Sequence, residues 1–135
     1  MKLEHVAIAV EDLDKASALY RESFGLVETH REEVPAQKVR VAFLKDPSGD
    51  SCTLELISPT GEGGVAKFLA SRGPGLHHLA FRAPDIGAEM ERLRSAGKPP
   101  LDAAPRPGAH GHSVCFLHPK NAAGVLVELV GEPRP

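Results

Sequence analysis

Shifted against itself by 73 residues, the chain matches in four separate blocks. Leu3-Glu4-His5-Val6-Ala7-Ile8 falls on Leu76-His77-His78-Leu79-Ala80-Phe81, and Asp12-Leu13 falls on Asp85-Ile86. Val41-Ala42-Phe43-Leu44 falls on Val114-Cys115-Phe116-Leu117, and Leu54-Glu55-Leu56-Ile57 on Val127-Glu128-Leu129-Val130. One offset serves blocks of different composition, so neither chance nor low complexity explains the match. A repeat constrains the fold more than any propensity does, because each copy must form the same supersecondary unit and bury an apolar face against something.

Each copy reads as β-α-β-β-β. In the first, residues 3–10 read as a strand. Asp12 offers a helix N-cap, Leu13, Ala16, Leu19, Tyr20 and Phe24 follow at helical spacing, and Gly25 supplies the C-cap. Strands are predicted at about 26–32, 38–45 and 52–58, with the turn Asp46-Pro47-Ser48-Gly49-Asp50 between the last two. In the second copy, strand 76–83 precedes the cap Asp85, Ile86, Met90 and Leu93 form the apolar stripe, and Gly97 ends the helix. Strands then fall near 99–104, 112–118 and 125–130. A short helix at about 63–72, carrying Val65, Phe68 and Leu69 and ending at Gly73, joins the copies. The expected organisation is one α+β domain over 1–135: module 1 at about 1–60, a linker helix within about 61–75, and module 2 at about 76–135. One helix per module covers one sheet face, so the other face is covered by the partner module or lines a cavity, and pairing two such sheets gives a cup.

The same offset pairs polar residues inside apolar strands. His5 matches His78, and Glu55, in Thr-Leu-Glu-Leu-Ile, matches Glu128, in Leu-Val-Glu-Leu-Val. A carboxylate among aliphatic neighbours is costly to bury unless it is paired or bound to a metal. Two imidazoles and two carboxylates at repeat-related positions suggest one shared site for a divalent first-row ion such as Co, Mn, Ni, Zn or Fe. Without thiolates the set does not suit a closed structural zinc site, and four ligands leave an octahedral ion two open positions. Taken singly, a strand Glu more often faces solvent and a strand His is more often structural; their coincidence under an offset fixed by other residues favours the site. Alternation sends His77 to the face opposite His78, as a structural or supporting residue. His30 reads as a surface residue and His118 as part of a turn, while His110 and His112 lie in a Gly-rich loop.

Composition excludes several classes. Lys and Arg number 16 against 18 Asp and Glu, a net charge of −2, and there is no Trp, which argues against a nucleic-acid surface and a polybasic membrane anchor. No apolar run reaches the length of a membrane helix, and the N-terminus does not read as a signal peptide. Cys52 and Cys115 form no CxxC pair and read as buried, reduced thiols, consistent with a cytoplasmic location.

At this point the chain resembles the vicinal-oxygen-chelate superfamily, whose members fuse two βαβββ units around one metal. Within it the methylmalonyl-CoA epimerase family is the most similar. The segments that carry this are His5-Val6-Ala7-Ile8-Ala9-Val10, Val34-Pro35-Ala36-Gln37-Lys38-Val39, Val65-Ala66-Lys67-Phe68-Leu69 and the run from Arg72 to Ala80. Pro105-Arg106-Pro107-Gly108-Ala109, Leu117-His118-Pro119-Lys120 and the run from Gly124 to Leu129 carry it further. The resemblance implies metal ligands at His5, Glu55, His78 and Glu128, the four reached from the repeat. It also implies an acyl-CoA substrate, interconversion of 2R and 2S methylmalonyl-CoA, and a homodimer. That reaction removes the C2 proton between a thioester and a carboxylate and returns it to the other face of the enolate. Glu128 is the expected acid/base group for one face. Some family members carry a Glu at the position of Val41, so the second face needs a water or another group, for which His112 is a candidate. Arg106, Lys120 and Lys38 are available to meet the CoA moiety. A glyoxalase I-type lyase, an extradiol dioxygenase and a non-enzymatic small-molecule-binding protein on the same scaffold are the alternatives.

Overall fold

The structure, a computed structural model, describes residues Met1–Pro133. Its strands are β1 (Leu3–Ala9), β2 (Val27–Val34), β3 (Val39–Lys45), β4 (Thr53–Pro59), β5 (Gly75–Arg82), β6 (Arg106–Pro107), β7 (His112–Leu117) and β8 (Leu126–Pro133). Its α-helices are α1 (Leu13–Phe24), α2 (Gly64–Arg72) and α3 (Ile86–Ser95). The chain divides into two compact units, one from His5 to His77, the other made of Met1–Glu4 together with the chain from His78 onward.

In the His5–His77 unit the strands lie in the order β2-β3-β4-β1. β1 and β4 run parallel, and the other neighbours run antiparallel. Asp12 starts α1 by accepting from the Lys15 backbone N–H at 3.0 Å, and Gly25 ends it at a left-handed φ of 69°. α1 covers one sheet face, where Val10, Leu13, Ala42, Leu44 and Leu56 are buried. α2 follows β4 and closes on Gly73.

The unit containing His78 repeats this plan in the order β5-β8-β7-β6, with β5 and β8 parallel. Asp85 caps α3 by accepting from the Ala88 N–H at 3.0 Å. Under α3 lie Ala83, Met90, Leu93, Cys115, Leu117 and Leu129. Ala80, Val114, Phe116 and Val130 make a second cluster. The first four residues of the chain belong here: the Arg82 N–H donates to the Lys2 carbonyl at 2.9 Å, and the Arg82 guanidinium meets Glu4 at 2.7 Å.

The structure corrects three expectations. Residues 99–104 form no strand; the outer strand of the second repeat is only Arg106–Pro107. Pro99, Pro100 and Pro105 lack the N–H groups a ladder needs, and the segment is held instead by the Leu101 N–H donating to the Phe116 carbonyl at 2.8 Å. β8 runs past 130 to Pro133. Cys52 is exposed, at the polar end of a turn, whereas Cys115 is buried. Burial, first of all, pushes the Cys115 thiol up to about 12. No described helix is long and apolar enough to cross a membrane.

Candidate metal centre

The two units build the same half-site. In one, β1 and β4 set Ala7 opposite Glu55 and His5 opposite Thr53. In the other, β5 and β8 set Ala80 opposite Glu128 and His78 opposite Leu126. On the far side of each carboxylate stands a phenylalanine, Phe43 opposite Glu55 and Phe116 opposite Glu128. The offset seen in the sequence thus holds residue for residue in the register. A one-residue slip would turn each carboxylate onto the helix-covered face.

Within each half-site the imidazole Nε2 and the carboxylate Oε1 approach one another, at 3.6 Å for His5 and Glu55 and 3.5 Å for His78 and Glu128. Each of the four residues is at most 5% exposed. Each ring is met edge-on by the phenylalanine of its own unit, His5 by Phe43 at 5.7 Å and 84°, His78 by Phe116 at 5.9 Å and 89°. Ala7 and Ala80, the cross-strand neighbours of the two carboxylates, are fully buried. Buried carboxylates of this kind require compensation, and the donor set fits a divalent ion. Adjacent donors at about 2.1 Å from one ion stand about 3 Å apart on an octahedral edge and about 3.4 Å on a tetrahedral one, close to the spacing observed. His5, Glu55 and His78 each offer one buried donor atom.

The remaining sequence candidates are placed as follows. Val41 is buried one strand step from Phe43, on the Glu55 face, with no proton to exchange. His112 does not follow the simple alternation from Val114, because a bulge separates them: Val114 opposes Val130 and His112 opposes Pro133. Its Nδ1 lies 2.6 Å from the Gly131 carbonyl, which fixes that nitrogen as the donor. His110 sits at a left-handed φ of 58° in a short 3₁₀ segment. His77 meets Phe68 of α2 edge-on, as its strand parity predicts. His118 accepts from the Lys120 N–H, His30 contacts Glu32 at 2.8 Å, and Lys38 ends a 3₁₀ turn at a φ of 55°. Arg106 stacks on the Phe116 ring at 5.0 Å and pairs with Asp102 at 3.2 Å. Sequence reasoning missed Asp102 and the two phenylalanines, although Phe43 and Phe116 lay inside the matching blocks.

A fold of two β-α-β-β-β units, each with a buried His–Glu pair, defines a class. A profile of the glyoxalase/bleomycin resistance protein/dioxygenase superfamily matches residues 4–116, and the chain belongs to that superfamily. Among its members, the methylmalonyl-CoA epimerase of Mycobacterium tuberculosis is 42% identical and superposes with a TM-score of 0.91 over 98% of this chain and 88% of that one. An ethylmalonyl-CoA/methylmalonyl-CoA epimerase of Cereibacter sphaeroides is 40% identical over 131 residues, 95% of this chain and 96% of its own length. A variant of Streptomyces coelicolor methylmalonyl-CoA epimerase, in complex with 2-nitronate-propionyl-CoA, is 37% identical, with a TM-score of 0.91 over 99% of both chains.

Proposed function

We propose that this chain is a metal-dependent methylmalonyl-CoA epimerase, in which His5, Glu55, His78 and Glu128 hold one divalent ion. The observation that carries the reading is the pair of repeat-related, buried His–Glu half-sites, in a chain similar to epimerases along nearly its whole length. An ion so held would supply Lewis acidity to the substrate's thioester and carboxylate oxygens as negative charge develops.

The chain's own groups do the rest. The Glu128 carboxylate takes the C2 proton on one face and returns it. Phe43 and Phe116 fix the imidazole planes and keep water from the half-sites. The group on the second face is not a side chain at position 41, because that residue is Val41. It is a water or His112, whose Nδ1 contact with Gly131 leaves Nε2 as the proton-accepting nitrogen. Retention of all four ligands favours an enzyme over a non-enzymatic binding protein. The relatives at 40% and 42% identity, both epimerases by name, favour epimerisation over a lyase reaction, whose named relative is 29% identical. The same reading includes Co, Mn, Ni or Zn as the ion, a cytoplasmic location, and a homodimer, a family expectation that light scattering tests.

The experiment is incubation with pure 2S or 2R methylmalonyl-CoA in deuterated water. Wild-type protein incorporates deuterium at C2 and loses this with a chelator. Glu128→Gln lowers the rate by at least about 100-fold, the usual weight of a positioned acid/base group. Exchange that persists unchanged in Glu128→Gln removes Glu128 from its role, and exchange unchanged in His112→Ala assigns the second face to water.

A further inference from the structure

The two half-sites match in their ligands and differ in the row beside them. Opposite Val41 in the first unit stands Glu32; opposite the equivalent Val114 stands Arg106. Residues directly opposed in an antiparallel pair share a sheet face, so Arg106 rises on the face of Val114, two residues along the strand from Phe116, which opposes Glu128. The repeat thus places an acid beside one half-site and a base beside the other.

Arg106 is held rather than loose. Its guanidinium carbon lies 5.0 Å from the Phe116 ring centroid, and its Nε is 3.2 Å from Asp102 Oδ1. Asp102 is itself fixed, its Oδ2 accepting from the Phe116 N–H at 2.8 Å. The Nε contact with Asp102 is an ion pair without hydrogen-bond geometry, the two terminal nitrogens have no hydrogen-bond partner among the described residues, and the side chain is 40% exposed. The Phe116 ring that carries the guanidinium also meets His78 edge-on at 5.9 Å. The guanidinium carbon is therefore no more than about 11 Å from the His78 ring centre, the sum of 5.0 and 5.9 Å. That is the range of an acyl group at the ligand set. The diphosphate of CoA lies a whole pantetheine arm away.

We propose that Arg106, held beside Asp102 and Phe116, is the specificity-determining residue that takes the carboxylate of the 2-carboxyacyl thioester and so distinguishes it from an acyl thioester without one. Two donors in a planar fork match a carboxylate. The inference rests on the epimerase reading and deepens it.

The test is calorimetric titration of the purified, metal-loaded protein with malonyl-CoA, propionyl-CoA and CoA. The three share the nucleotide and arm and differ in the carboxylate. Arg106→Gln is expected to weaken malonyl-CoA about 10- to 100-fold and to leave propionyl-CoA and CoA within twofold, with Arg106→Lys restoring part of the loss. Equal weakening of all three ligands would overturn the inference, since it would mean that Arg106 meets a phosphate or only supports the fold. Unchanged malonyl-CoA affinity overturns it as well. Wild-type protein that binds no malonyl-CoA overturns the epimerase reading itself, and this inference with it.

Discussion

Glu28 shows how single residues tie the helix to the sheet of the first unit. It accepts from the Ser17 hydroxyl of α1 at 2.7 Å and from Arg31 at 2.8 Å, and Ser17 is fully buried. The hydrogen bond from Arg31, then that from Ser17, holds the Glu28 carboxyl below its ordinary value near 4.5, against an opposing push from desolvation. A carboxylate with a lowered folded-state pKa stabilises the fold above its unfolded pKa, and that stability is lost as pH falls through the folded value. Glu28→Gln is therefore expected to cost about 0.5–1 kcal/mol at pH 7 and nothing at a pH below the folded value. Paired thermal melts over a series of falling pH check this; a difference that stays constant down the whole series would mean that the charge is irrelevant. At this scale the sequence exposed the two buried His–Glu pairs, because the offset that pairs His5 with His78 and Glu55 with Glu128 was fixed by apolar residues around them. It did not expose Asp102, whose partner Phe116 is 14 residues away, or the setting of Cys52, because neither repeats.

At the level of elements, the caps and apolar stripes of α1, α2 and α3 were legible because a helix is specified locally, by Asp12, Asp85, Gly25 and Gly73. The outer strand of the second repeat was not, since prolines withdraw 99–104 from pairing and leave the edge to two residues. That short edge depends on a close approach. A Cβ at Gly108 would lie 2.6 Å from Val114 Cγ1, and the Gly108 N–H donates to the His112 carbonyl at 2.9 Å. Val114 is buried and β-branched, so it cannot swing aside. Gly108→Ala is expected to destabilise by about 1–3 kcal/mol, read by urea unfolding. Adding Val114→Ala should make the combined loss smaller than the sum of the two single losses. Strict additivity would show that the two side chains do not collide.

Over the whole chain, the repeat announced two similar units but not that Met1–Glu4 would pack with the second of them. That exchange follows from pairing, through Lys2 and Arg82, which no local pattern encodes. The proposed shared ion makes a stronger demand on the molecule. One imidazole and one carboxylate bind a divalent ion weakly; two of each, drawn from both units, bind it as a chelate, and the binding energy becomes folding energy. Saturation at 100 times the dissociation constant adds about 2.7 kcal/mol, worth roughly 5–10 °C in Tm for a chain of this size. Chelator should remove that increment from the wild type. Since each unit supplies half of the ligands, His5→Ala and His78→Ala should each abolish most of it, and elemental analysis should find about one ion per chain in the wild type and little in either variant. Two ions in the wild type and one in each variant would mean that the half-sites act separately, and the shared centre would have to be abandoned even if epimerase activity were found.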